Sequence, residues 1–228
     1  MFAYLKYFIY LGWNWNFRLA WFVVRDEIRG ERKYNIRTTG YDTLKHVARK
    51  GIDTSHATIY MPAGYYMLEK LLGEINTLPH NKHFLDIGCG KGRAMVVAAH
   101  YGFTHISGID FSKEFCLHTE SLMKQLPFKP LTTAVHHCDA FYYRIPKDIE
   151  VIFLFNPFDD VMMSGVVENI LISQEERNRD IYVIYLNPQQ KILFTEAGFQ
   201  VIYEHKRLKY IEGIILKKPM MQANNKKQ

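Results

Sequence analysis

Ten residues constrain this chain more than any others: Phe84-Leu85-Asp86-Ile87-Gly88-Cys89-Gly90-Lys91-Gly92-Arg93. The lead-in from His83 to Asp86, with apolar Phe84 and Leu85, reads as the end of a buried strand. Three glycines then alternate with other residues, and Ala94-Met95-Val96-Val97-Ala98-Ala99 continues as a helix buried on most sides. Strand, glycine turn and helix within about 15 residues make the front half of a βαβ unit. Glycine is required where a backbone turns sharply and lets a ligand come close. The helix amides opening at Gly92 would meet that ligand with partial positive charge.

A dinucleotide-binding loop is written G-x-G-x-x-G. Gly88 and Gly90 fit it, but Arg93 stands at the third position and the third glycine comes one residue early, at Gly92. The pattern is instead D-x-G-x-G-x-G. It resembles motif I of the class I S-adenosylmethionine (SAM) methyltransferases. A nucleotide-dependent oxidoreductase remains the alternative enzyme, and a glycine turn without a ligand is the purely structural reading.

A chain of 228 residues fits one α/β domain with a modest extension. Its hydrophobic content of 48% and charged content of 23% are ordinary for a globular protein and leave a core large enough to need no staples. The three cysteines, Cys89, Cys116 and Cys138, have no paired spacing, so reduced thiols in a cytoplasmic protein are expected. The net charge of +6 is unevenly spread: residues 1–50 carry +6, residues 217–228 carry +4, and residues 51–216 carry −4. A nucleic-acid enzyme usually has a basic stripe beside its site. Here only the chain ends offer one.

Residues 1–59 read as an aromatic-rich helical extension, 60–216 as the main domain and 217–228 as a basic, frayed tail. All three tryptophans, Trp13, Trp15 and Trp21, fall in the extension. Lys6, Asn14, Asn16 and Arg18 interrupt it, so it is no membrane span, and it lacks a clear secretory cleavage site. From Asn14 onward the spacing is helical. Phe17, Trp21, Val24 and Ile28 share one face, and Arg18, Arg25 and Arg29 another. Asn14 or Asn16 can cap this helix, and Gly30 can end it. Its uses are to cover the main domain, to lie peripherally on a membrane, or to bind a partner or second copy. Tyr41 to Lys50 reads as a short helix. Pro62 suits a first helical turn, with Leu68, Leu71, Leu72 and Ile75 following.

Beyond the glycine turn, Thr104 to Asp110 reads as a second strand that ends on an acid 18 residues after Gly92. Ser112 caps a helix through about Gln125. Thr132 to Cys138 is a third strand, followed by Asp139-Ala140-Phe141. His136 and His137 are adjacent on it and so point to opposite faces, which makes a poor chelate. No Cys/His spacing matches a zinc site, and no metal is expected. Glu150 to Phe155 is an apolar run suited to a central parallel strand, ending in Asn156-Pro157-Phe158. A helix from Val161, a strand at Ile181–Leu186, a short helix over 189–197 and a hairpin pair at Phe199–His205 and Tyr210–Leu216 complete the chain.

This alternation resembles the Rossmann-like α/β class I methyltransferase fold over residues 60–216. The resemblance implies seven strands in the order 3-2-1-4-5-7-6, strand seven antiparallel, with helices on both faces. The F-N-P-F element, Phe155 to Phe158, resembles that of a group of bacterial methyltransferases, in a layout near the histone-lysine methylation proteins of the telomeric-silencing type. The family implies that Asp86, Gly88, Cys89 and Gly90 surround the methionine moiety of SAM. It also implies that Asp110 and Phe111 hold ribose and adenine, and that Asp139 and Ala140 bound the adenine edge. In that family the segment before the first strand often folds over SAM, which makes Tyr60 and Tyr65 lid candidates.

Methyltransferases acting on adenine or glutamine amino groups resemble one another in a N/D-P-P-Y/F element. Asn156-Pro157-Phe158 has one proline fewer. Asn156 can accept a hydrogen bond from an amino group and Phe158 can stack on a planar substrate; alternatively Asn156 caps the next helix and Phe158 packs. The methyl acceptor is thus expected to be a nitrogen, on a protein lysine or amide or on a nucleic-acid amino group. Tyr60, Tyr65 or His137 could take a proton. SAM binding without turnover, as a scaffold attached to a membrane through residues 1–30, is the non-enzymatic alternative.

Overall fold

The computed structural model describes residues 8–9, 12–13, 16–38, 62–155 and 158–221. Strands β1 (His83–Ile87), β2 (His105–Asp110), β3 (Thr132–His137), β4 (Val151–Phe155), β5 (Ile181–Leu186), β6 (Gln200–Arg207) and β7 (Ile211–Lys218) form one sheet. Its order is β3-β2-β1-β4-β5-β7-β6. β1 pairs in parallel with β2 and β4, β2 with β3, and β4 with β5, while β7 runs antiparallel to β5 and β6.

The period-2 alternation of strand side chains divides the core between the two faces of the sheet. On one face, Phe84, Phe153, Tyr182, Ile184 and Ile215 pack against helices α2 (Tyr65–Ile75) and α3 (Arg93–His100). On the other, Leu85, Ile152, Leu154, Val183 and Tyr185 pack against α5 (Asp160–Glu176) and α6 (Lys191–Glu196). α4 (Lys113–Lys124) lies beside β2 and β3. All six residues of β5 are buried because both of its faces are covered.

The N-terminal helix α1 (Phe17–Tyr34) is capped by Asn16, whose Oδ1 accepts the Leu19 N–H at 2.8 Å. It does cover the main domain, packing on α2, but not through its aromatic stripe. The buried side is Leu19, Ala20, Asp26, Glu27, Gly30 and Tyr34. Gly30 does not end the helix, as the sequence suggested; the end is Asn35, at φ 53°. Gly30 is instead where Tyr65 presses in: a Cβ there would lie 2.1 Å from the Tyr65 ring. α2 starts at Tyr65 rather than at Pro62, with Gly64 as its N-cap residue. Glycine has no capping side chain, and Asp26 of α1 supplies the acceptor instead, taking the Tyr66 N–H on Oδ2 at 2.8 Å.

Arg93 joins these parts. Its guanidinium makes a two-pronged ion pair with Glu27, both contacts at 2.7 Å. It also donates to the Thr38 hydroxyl and the Ala63 carbonyl, each at 2.7 Å, and lies 4.1 Å from the Tyr65 ring centre. Arg93 is 3% exposed and Glu27 4%. Arginine suits such a site because its rigid fork matches a carboxylate with two parallel hydrogen bonds. A second cluster lies nearer the surface. Burial opposes ionisation of Glu69, but Arg29, Lys33 and Tyr34 hold its carboxyl below the usual range.

Removing one partner of a buried pair leaves a desolvated charge, which costs about 3–5 kcal/mol. Glu27→Ala is expected to lower the urea-unfolding free energy by that amount. The double variant Glu27→Ala/Arg93→Met should lose less, because no unpaired charge remains. Equal losses would show that the pair does not hold α1 in place.

Candidate functional site

The glycine turn joins the carboxyl end of β1 to the first turn of α3, and hydrogen bonds seat it on β2. The Gly88 and Cys89 N–H groups both donate to the Ile109 carbonyl at 2.9 Å. Gly90, at φ 51°, donates its N–H to Asp110 Oδ2 at 2.8 Å. The Ser112 N–H reaches Asp110 Oδ1 at 2.8 Å. Each carboxylate oxygen keeps a lone pair for a further donor. From α4, the Thr119 hydroxyl donates to the Gly90 carbonyl at 2.8 Å. Thr119 is fully buried and had no local signal in the sequence, since only the folding of α4 against the loop brings it there.

Gly92 is required twice over. Its φ is +80°, and a Cβ there would sit 2.7 Å from Thr119 Cγ2. Gly108, across from Asp86 in the β1–β2 register, gives way to Met95 and Cys89, whose side chains occupy the space a Cβ would fill.

The site's two inner carboxyls are both hard to ionise. Burial pushes Asp86 well above the carboxylate range, and the nearby Asp110 adds to this. Burial likewise raises Asp110, to about 6, against the Ser112 and Gly90 N–H groups and His137, which favour the charged form. Burial also pushes up the Cys89 thiol, with Asp86 and Asp110 contributing. Cys89 therefore stays protonated and forms a wall of the loop rather than a nucleophile.

The other expected adenosine residues stand at the next strand ends. Asp110 is level with His137 in the β2–β3 register. Phe111 is half-buried, and its carbonyl accepts a hydrogen bond from His137 Nε2 at 3.0 Å. Asp139 is exposed and caps a short turn at Ala140–Tyr142, taking the Phe141 N–H on Oδ1 at 2.9 Å. The Ala140 N–H has no hydrogen-bond acceptor among the described residues. The ends of β1, β2 and β3 thus bring together Asp86, the glycine turn, Asp110, Phe111, Asp139 and Ala140.

The acceptor residues fare differently. Tyr60, Asn156 and Pro157 lie outside the described residues, as does the helix expected at 41–50. Phe158 is half-buried against the α5 side of the core, together with Cys138 and Tyr143. The cap of α5 is Asp159, whose Oδ1 accepts the Met162 N–H at 3.0 Å. Tyr65 is fully buried under α1, with its hydroxyl pushed up to about 12 by burial; it is neither a lid nor a base. No group of three or more His, Cys, Asp or Glu among the described residues could hold a metal ion.

Strand order, an antiparallel β7 and a glycine turn facing two acid-bearing strand ends decide the architecture. The fold is that of the class I methyltransferases. Among solved structures of this fold, a SAM-dependent methyltransferase from Aquifex aeolicus is 16% identical, with a TM-score of 0.52 over 66% of this chain and 88% of its own. A ribosomal protein L11 methylase from Lactobacillus delbrueckii subsp. bulgaricus is 16% identical, with a TM-score of 0.50 over 67% of this chain and 77% of its own. The N-methyltransferase NodS from Bradyrhizobium japonicum is 10% identical, with a TM-score of 0.51 over 66% of this chain and 94% of its own. No protein-family model and no curated protein matches the chain.

Gly92→Ala would force a left-handed φ and a clash with Thr119, and should destabilise the protein by about 1–3 kcal/mol in chemical denaturation. Adding Thr119→Ser removes Cγ2 but keeps the hydroxyl donor to Gly90. It should recover part of that loss; no recovery would mean the clash is not the cause.

Proposed function

We propose that this chain is a SAM-dependent methyltransferase acting on a nitrogen acceptor. The observation that carries the reading is the carboxyl of Asp110, held by the Gly90 and Ser112 N–H groups at the end of β2. That carboxyl can accept both ribose hydroxyls in charge-assisted hydrogen bonds. Asp86, Gly88, Cys89 and Gly90 surround the methionine part, and Phe111 lies against the adenine. The unpartnered Ala140 N–H donates to a ring nitrogen, and the oxygen of Asp139 not used in its turn accepts from the exocyclic amino group. This donor and acceptor set fits an adenosine.

The cofactor supplies an activated methyl group on a sulfonium with a good leaving group. What remains for the protein is alignment and exclusion of water. Asn156, at the end of β4, is the proposed acceptor of an amino hydrogen, with Pro157 and Phe158 shaping the entry and Tyr60 closing over it. Ligands of open α/β sheets bind at the carboxyl ends of the strands. Neighbours of the same fold are named for a ribosomal protein, for RNA and for N-methylation, so the acceptor nitrogen is sought on a protein or on a nucleic acid alike. The oxidoreductase reading is disfavoured, because an antiparallel β7 is inserted between β5 and β6, unlike the 3-2-1-4-5-6 order of dinucleotide folds.

Ribose hydroxyls bind an ionised Asp110 better than a protonated one. With its pKa raised to about 6, the carboxyl takes up a proton as pH falls through that value, and cofactor affinity falls with it. Calorimetric titration with S-adenosylhomocysteine should give affinity about tenfold weaker at pH 5 than at pH 7. Asp110→Ala should weaken binding at pH 7 at least about tenfold, about 1.4 kcal/mol, and flatten the pH profile. Unchanged affinity in the variant would count against the site, and NADH binding in place of S-adenosylhomocysteine would favour the oxidoreductase. Binding without transfer of labelled methyl to protein or RNA would favour a scaffold.

A further inference from the structure

α1 carries three acids, and all of them turn inward. Asp26 caps α2, Glu27 binds Arg93, and Glu31 accepts the Thr38 N–H at 3.0 Å. The outward side is left with cations and apolar groups alone. Phe17, Trp21, Val24 and Ile28 form its apolar stripe, with Phe17 and Trp21 each 64% exposed. Arg18, Arg25 and Arg32 recur every seventh residue, which aligns them in a row beside that stripe. All three arginines are exposed, and none forms an ion pair among the described residues. Ahead of the helix, Ile9 and Trp13 are 55% and 86% exposed.

We infer that this face of α1 lies on an anionic membrane surface, the apolar stripe at headgroup depth and the arginine row on lipid phosphates. Aromatic rings beside an arginine row suit that boundary, where one side of a helix is apolar and its edge is wet and negatively charged. A second copy of the chain would bring three more arginines to the contact and no acid from this face to pair with them. A nucleic acid would match the cations and stack on Trp21, but would offer Val24 and Ile28 nothing that removes them from water. No described helix is long and apolar enough to cross a bilayer, so the contact is peripheral. The inference stands apart from the methyltransferase reading.

The tryptophans give a direct test, since all three lie between residues 13 and 21, and tryptophan emission, excited at the red edge where tyrosine does not absorb, reports this segment alone. The full chain is titrated with vesicles of phosphatidylcholine containing about 30% phosphatidylglycerol, and with pure phosphatidylcholine. Expected are a blue shift and co-sedimentation with the anionic vesicles, weakening as salt rises from about 0.1 to 0.5 M. Arg18→Ala/Arg25→Ala/Arg32→Ala should lower partitioning at least about tenfold, since each basic residue contributes to attraction at the surface. Phe17→Ala/Trp21→Ala should weaken it through lost insertion. These side chains are exposed, so the thermal midpoint and S-adenosylhomocysteine affinity should hold in both variants. Absence of sedimentation with anionic vesicles, or unchanged binding by the triple-arginine variant, overturns the inference. So does single-stranded RNA quenching the tryptophans while vesicles have no effect, or lipid-independent dimerisation lost on Phe17→Ala/Trp21→Ala.

Discussion

The guanidinium of Arg93 ties the extension to the glycine turn and the start of α3. Four hydrogen bonds of 2.7 Å bind it to Glu27, Thr38 and Ala63, and the Tyr65 ring lies against it. Each of these groups comes from a different part of the chain, and Arg93 is itself the first residue of α3. A buried charge is tolerated only when paired and fully hydrogen-bonded, so this one position demands that α1, the approach to α2 and the start of α3 stay together. The residue that takes the sequence away from the dinucleotide pattern is therefore the one that docks the extension.

The candidate site depends on a second constraint of the same kind. Asp110 is buried, which disfavours its charge, and two backbone N–H groups from either side of it partly offset that penalty. One of those groups belongs to the glycine turn. The carboxyl thus fixes the distance between the loop after β1 and the end of β2, and Thr119 holds the turn from behind. Loop and acid form one hydrogen-bonded unit carried on rigid parallel strands.

Much of this was legible beforehand because it depends on short-range pattern. Apolar runs such as Val151 to Leu154 become central strands since no solvated face is left on them. Ser112 caps α4 because its hydroxyl meets the Phe115 N–H wherever that helix begins. Other readings failed where a distant residue took over a local role. Gly30 signals a helix end locally, yet the Tyr65 ring needs its missing Cβ. Phe17, Trp21, Val24 and Ile28 look like an inner face by spacing, yet the inner face is Leu19, Ala20, Asp26, Glu27, Gly30 and Tyr34. Periodicity reports which residues share a face, but not which face turns inward.

The sequence by itself determined the strand–glycine–helix unit, the acids at the ends of β2 and β3, and the order of elements, because each follows from hydrophobic period, glycine geometry and chain spacing. Only the tertiary structure decided that Glu27 neutralises Arg93, that Asp26 caps α2 and that Thr119 backs Gly90. Those contacts join residues 66, 40 and 29 positions apart, and no local rule selects a partner at such separation. It also decided the outward face of α1. Once long-range partners claim Asp26 and Glu27, and Glu31 accepts the Thr38 N–H, the surface left over is basic and aromatic.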